Sequence, residues 1–339
     1  MASPKVFVTG ATGYIGGDAL YVIYNKHPEW QYTALVRTET KAKQLTAKFP
    51  NISIVYGSLE SADVLEEESK KADIIYHFAD CDHVPSAQAI VKGAQAHTPD
   101  RPAWIIHTSG TGSLIYKDLR EKTVGVEREG LYDDWDNVEK VTSLPDDALH
   151  RNVDKIILSA GENNPAVKSA VVAPPCINGP GRGLNPASKQ IPIFVQETLK
   201  RKKGMVLGEG RNIWHWVHVQ DLSEVFLALG EAAVAGGGNA TWGKDAYYFA
   251  DNGPFYWGDV QRAVAKAAHE KGYLPTAEVD TLSFDEANRL HPLLSALVGG
   301  NSRGTGIRAR KLLGWTPKRQ GLLDLIPDIV EEEARALGL

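Results

Sequence analysis

The chain has 339 residues, of which 43% are hydrophobic and 23% charged, and its formal net charge is −5. That composition suits a globular protein with ample core, and the lack of a basic excess excludes nucleic acid as its main partner. Two cysteines, Cys81 and Cys176, are too few for a disulfide framework or a cysteine-based zinc site. The opening Met1-Ala2-Ser3-Pro4-Lys5 runs straight into a strand pattern, which leaves no room for a signal peptide, and no apolar run reaches bilayer length. A cytoplasmic chain without a membrane partner is expected.

Taken in order, Lys5–Thr9 reads as a strand and Ile15–Asn25 as a helix. Strands Tyr32–Val36, Ile52–Tyr56, Ile74–Phe78 and Trp104–Thr108 then alternate with helices Ala42–Phe49, Val64–Lys71 and Pro85–His97. Asp118–Pro145 reads as a polar excursion of loops and short turns. Asp146–Glu162 reads as one long helix with Leu149, Val153, Ile156 and Ile157 on a face, and Ala170–Ala173 as a further strand. Short Val- and Ile-rich strands alternating with helices predict an α/β fold with a doubly wound parallel sheet. Pro174 to Gly181 breaks this pattern, and the chain beyond it is richer in isolated strands, Trp and Gly. The expected division is a dinucleotide-binding domain over 1–175, rejoined by 216–250, and a smaller C-terminal substrate-binding region over 176–339.

The strongest local signal is Thr9-Gly10-Ala11-Thr12-Gly13-Tyr14-Ile15-Gly16, between a strand and a helix. Gly10 permits the tight turn, Gly13 lets the backbone approach a pyrophosphate, and Gly16 allows close helix–strand packing. This predicts a Rossmann-type dinucleotide site. At the end of the second strand, where an NAD site carries a carboxylate, the chain has Arg37, with Lys41 and Lys43 behind it. A guanidinium attracts a 2′-phosphate, so NADP(H) is the expected cofactor. Ser58 and Leu59 are expected beside the adenine, and Phe78, Ala79 and Asp80 beside the ribose and pyrophosphate.

These features resemble the extended or atypical short-chain dehydrogenase/reductases, and more narrowly the NmrA-like fungal reductases of natural-product pathways. The resemblance rests on Thr9 to Gly16, the stretch after the fourth strand, His107-Thr108-Ser109-Gly110, Pro175 to Pro180, Val217 to Leu222 and Leu313-Gly314-Trp315-Thr316-Pro317. It implies that Thr108 and Ser109 lie at the catalytic position, and that Pro175, Cys176 and Ile177 border the nicotinamide. It also implies a homodimer paired through the helices over 85–97 and 146–162. The family's Tyr-x-x-x-Lys pair aligns with Arg151-Asn152-Val153-Asp154-Lys155, so the lysine is present and the tyrosine is not. None of the twelve tyrosines is followed by lysine four residues on.

Without a positioned acid, protonating an alkoxide is slow, whereas hydride transfer to an iminium needs no acid. The expectation is therefore C=N redox chemistry on a bulky, heteroaromatic small molecule, either simple or coupled to cyclisation. Lys155, Ser109, Arg151 and Asp154 are the candidate catalytic residues, and His150 is a weaker substitute acid. Tyr116, Trp135, Trp214, His215 and Trp216 are candidates for a substrate pocket, each of which reads equally as a core residue. No metal is expected. Two other functions fit the same residues: a non-catalytic NADP(H) sensor and a sugar-nucleotide epimerase or dehydratase.

Overall fold

The computed structural model describes residues 3–339. Met1 and Ala2, part of the opening searched for a leader, lie outside the described residues. The first half alternates β1 (Lys5–Thr9), α1 (Tyr14–Lys26), β2 (Gln31–Val36), α2 (Glu39–Lys48), β3 (Ser53–Tyr56), α3 (Ala62–Lys71), β4 (Ile74–His77), α4 (Val84–Ala94) and β5 (Ala103–Thr108). The excursion after β5 is more ordered than a run of loops. It holds a 3-10 turn at Thr111–Ile115, then α5 (Tyr116–Glu121), β6 (Tyr132–Asp133) and α6 (Val138–Thr142).

The long helix expected over 146–162 shrinks to α7 (Arg151–Leu158). The turn at Pro145 precedes it, and His150 stands before it in the left-handed region with φ +68°. Val153 and Ile157 are fully buried within this one chain, so the face proposed for pairing with a second copy is already covered.

Next come β7 (Val167–Ala173), β8 (Cys176–Asn178), α8 (Gln190–Arg201), β9 (Gly204–Leu207), β10 (Ile213–His218), α9 (Val219–Val234) and β11 (Tyr247–Phe249). The chain ends through β12 (Pro254–Tyr256), α10 (Trp257–Glu270), β13 (Val279–Leu282), α11 (Phe284–Leu290), α12 (Leu294–Val298), β14 (Gly304–Thr305), α13 (Arg308–Leu313) and α14 (Leu322–Ala336). No helix is long and apolar enough to cross a membrane among the described residues.

Seven strands form one parallel sheet in the order β3-β2-β1-β4-β5-β7-β11. The chain winds outward from β1 in both directions, which leaves a crevice at the carboxyl ends of β1 and β4. Strand alternation sends Val6, Val8, Tyr76 and Ile106 into a core shared with α1 and α9, and Phe7, Ile75 and Ile105 into one under α3, α4 and α7. A third core, centred on Phe194, Trp214 and Trp257, joins α8, α10 and α14. The sheet β12-β10-β8 lies beside it. After the chain leaves for β8 to β10, α9 and β11 pack back onto the large sheet.

His77 and His107, partners across β4 and β5, are fully buried with ring centroids 5.0 Å apart. Burial holds both imidazoles neutral, with His77 pushed down to about 4.

Candidate active site

The glycine turn between β1 and α1 has the geometry its sequence demands. Gly10 has φ +74°, and a Cβ there would stand 2.6 Å from the Phe78 carbonyl carbon. A Cβ on Gly16 would stand 2.4 Å from the Gly10 carbonyl oxygen. A Cβ on Gly13 would meet only the Gly10 oxygen, at 3.2 Å, so its outer side is open for a pyrophosphate. Thr12, Tyr14 and Ile15 are partly exposed on this turn. The residues present therefore fit a dinucleotide on the amides that open α1.

Arg37 ends β2, is exposed, and has no hydrogen-bond or ion-pair partner among the described residues. Lys43 is engaged with Glu39 at 2.7 Å, which leaves Arg37 the freer cation. Ser58 and Leu59 are partly buried in the turn after β3. Phe78 is buried against the turn, and Ala79 is partly exposed beside it. Asp80 caps its own loop by accepting the Asp82 N–H at 3.0 Å.

A cleft of about 370 Å³ opens at this point, lined by Gly13, Ile15, Phe78, Pro175, Ile177 and Lys189, with Tyr14 beside them. Its far wall, Asn185 to Gln190, carries no sequence motif and was not anticipated. That wall is tied down from α1. Asp18, fully buried, takes two hydrogen bonds from the Arg182 guanidinium at 2.8 and 2.9 Å and one from Ser223 at 2.6 Å. Burial pushes the Asp18 carboxyl up, but these partners outweigh it and hold it below the usual carboxylate range. A charged residue interrupting an apolar helix face was the available signal. Cys176 is not a wall of the cleft; it is fully buried in the third core, and burial raises its thiol.

The catalytic positions differ most from expectation. Lys155 is exposed and paired with Asp146, on the outer side of α7. Arg151 neither projects into solvent nor faces the cleft; it is buried and donates to the Thr142 carbonyl. The face of α7 turned toward the end of β5 carries His150 and Asp154 instead, four residues apart. Asp154 is fully buried rather than a surface charge; burial pushes it up to about 6 despite a hydrogen bond from the Tyr247 hydroxyl at 3.2 Å. Ser109 turns inward beside Asp154 and Tyr247, without a well-formed bond of its own, and the Thr108 hydroxyl is likewise buried and unpartnered.

His150, just ahead of α7, is partly buried. Its Nδ1–H donates to Asp82 at 2.8 Å, and its backbone N–H donates to the same carboxylate oxygen at 3.0 Å. These two bonds hold a non-glycine residue in a conformation that costs of the order of 1 kcal/mol. The Cys81 sulfur is 3.3 Å from Nδ1. Burial opposes the imidazolium, but Asp82 and Cys81 outweigh it, and His150 is pushed up to about 10. Nε2 has no partner among the described residues and stands over the turn Gly110–Gly112. The sequence showed His150 beside the motif, but nothing in it brought Asp82, 68 residues away, to its ring.

Most of the expected aromatic pocket lies elsewhere. Trp214 is a core residue packed edge-on against Trp257, and His215 is buried and bonded to Asp251 at 2.9 Å. Trp135 is flanked by Arg308 and Lys311. Tyr116 stacks near Arg120 and Lys117, and Trp216 packs on the third core. None of the five lines the cleft.

The NAD(P)H-binding family model matches residues 10–125, and the NAD-dependent epimerase/dehydratase family model matches residues 147–242. An oxidase of Acremonium sp., ucsJ, is 35% identical over 344 residues, covering 99% of each chain. The chain belongs to the extended short-chain dehydrogenase/reductase superfamily. Among solved structures, UDP-glucose 4-epimerase of Thermotoga maritima with UDP-glucose has a TM-score of 0.65 at 14% identity, over 98% of this chain and 99% of that one. A dTDP-glucose 4,6-dehydratase (DesIV double mutant) of Streptomyces venezuelae with NAD bound has 0.65 at 17%, over 97% and 96%. This chain is thus a NAD(P)-binding member of an oxidoreductase and epimerase family, in keeping with small-molecule binding.

Proposed function

We propose that this chain is a NADP(H)-dependent oxidoreductase of fungal-type secondary metabolism in which the Asp82–His150 dyad performs the proton transfer that tyrosine performs in its relatives. The nicotinamide supplies or accepts the hydride. Asp82 fixes the imidazole with Nδ1 protonated, which leaves Nε2 to give a proton to a substrate oxygen or take one from it. The single observation that carries this reading is the pairing of His150, over the turn that follows β5, with Asp82 of the loop after β4.

The dyad changes the inferred chemistry. C=N redox was expected because no acid was in sight. An imidazolium supplies the proton an alkoxide needs, and its charge repels a cationic iminium. The reading is therefore interconversion of an alcohol and a carbonyl. Similarity to a fungal oxidase supports a redox function in preference to sugar epimerisation. A sensor without catalysis has no need of a fixed proton donor at this place. Nothing lining the cleft favours a flat heteroaromatic substrate or a cyclisation template.

Absorbance of NADPH followed with matched sets of ketones, aldehydes and cyclic imines tests this directly, with the alcohols tried on NADP+. Carbonyl and alcohol substrates should turn over at least tenfold faster than the imines. Faster turnover of the imines would overturn the assignment to C–O chemistry.

A further inference from the structure

Two glycines come after β5, at the place where the turn leaves Ser109. Neither needs to be glycine for its backbone. Gly110 has φ −167°, ordinary extended backbone, and Gly112 is absent from the positive-φ glycines. An alanine is admissible at both positions on conformational grounds. What crowds a side chain is one neighbour. A Cβ on Gly110 would stand 3.2 Å from His150 Nε2, and a Cβ on Gly112 would stand 3.0 Å from the same atom. The next contacts are ordinary: Leu149 Cδ1 at 3.5 Å from the Gly112 position and the Pro174 oxygen at 3.9 Å from that of Gly110. Both absent side chains therefore make room for a single nitrogen.

We propose that Gly110 and Gly112 are positioning residues for His150: they let Nε2 settle onto the turn so that the ring meets Asp82 on one side and the cleft on the other. This rests on the reading of His150 as the proton-transfer group. A methyl group at either site pushes the ring away, because 3.0–3.2 Å is closer than carbon and nitrogen ordinarily approach without a hydrogen bond. The ring is then shifted against Asp82, whose 2.8 Å bond fixes its orientation. The charged and titratable groups around the ring are Asp82 and Cys81 from the loop after β4, Asp154 one turn along α7, and His107 of β5. Neither glycine touches Asp82 or the glycine turn of α1, so cofactor binding should be spared.

The test uses the full chain with labelled histidines. In Gly112→Ala, the NMR titration midpoint of His150 should fall by at least one pH unit, and turnover should fall at least tenfold. The dissociation constant for NADP+ should change less than twofold. Gly110→Ala gives the same readings if Gly112→Ala fails to fold. In the double variant Gly112→Ala/His150→Ala, the added methyl should cost no further activity, since the ring it displaces is gone. An unmoved His150 midpoint in both single variants overturns the proposal. So does a loss from Gly112→Ala that persists undiminished without the imidazole. A shifted midpoint with unchanged turnover upholds the positioning role while it refutes the catalytic reading of His150, so the two failures are told apart.

Discussion

Replacing His150 by phenylalanine should lower kcat by about 100- to 10,000-fold, the usual worth of a positioned acid–base group. Binding of NADP+ should stay within a few-fold, because His150 does not belong to the α1 turn or to Arg37. Phenylalanine fills the ring's volume and forms no hydrogen bond to Asp82, a half-exposed carboxylate that water can then satisfy. The pH profile separates a proton role from a packing role. With the imidazolium held up to about 10, carbonyl reduction has its acid throughout the neutral range and loses it as pH rises through 10. Alcohol oxidation needs the neutral ring, so its rate should climb about tenfold per pH unit from neutrality toward 10. Asp82→Asn removes the carboxylate that holds the proton and should move both limbs to lower pH. A profile unchanged in Asp82→Asn would show that the dyad does not set the reaction's proton transfer.

Arg37→Ala should weaken NADP+ by about 10- to 100-fold and leave NAD+ within twofold, since a hydrogen bond to a charged group is worth about 1.5–3 kcal/mol. Arg37 stands at the end of β2, exposed and free of partners among the described residues, and no carboxylate sits at that position to repel a phosphate. Arg37→Glu should go further and invert the preference. Calorimetry with both nucleotides decides it. Equal losses for NADP+ and NAD+ would place Arg37 outside the 2′-phosphate site.

How far the sequence could be read depends on how local each determinant is. The β1–α1 turn was legible because Gly10, Gly13 and Gly16 are each required by contacts within a few residues or by one neighbouring strand. The alternation of strands and helices was legible because apolar period carries it. β1 came out to the residue, and β2, β3, β4, β5 and β7 came out within a few. The helix over 146–162 was overextended because its apolar residues fit the helical period. Pro145 and the left-handed backbone at His150 restrict it to eight residues, and the second of these is stabilised by Asp82.

On the proposed reading, the proton-transfer group stands one residue before the position that aligns with the family tyrosine. Alignment on the lysine made Lys155 the anchor, whereas Lys155 is exposed and His150 and Asp154 lie toward the end of β5. A one-residue shift turns a helix face by about 100°, which converts an inward pair into Arg151 and the outward Lys155. The aromatic pocket failed because tryptophan at a core position and tryptophan at a ligand look alike in sequence. Trp214 and Trp257 pack edge to face in the third core. Asp82 and the wall from Asn185 to Gln190 could not be found by pattern, since Asp82 acts through a partner far away in the chain and the wall carries no motif.

The proposed chemistry requires that a nucleotide held at the opening of α1 bring its nicotinamide to the His150 ring. Histidine-selective NMR of the labelled chain during a NADP+ titration measures it without any substrate. The His150 resonance, assigned by its loss in His150→Phe, should shift in step with cofactor saturation and should still titrate far above an ordinary histidine. A His150 signal that stays unmoved while NADP+ saturates the protein would contradict the account.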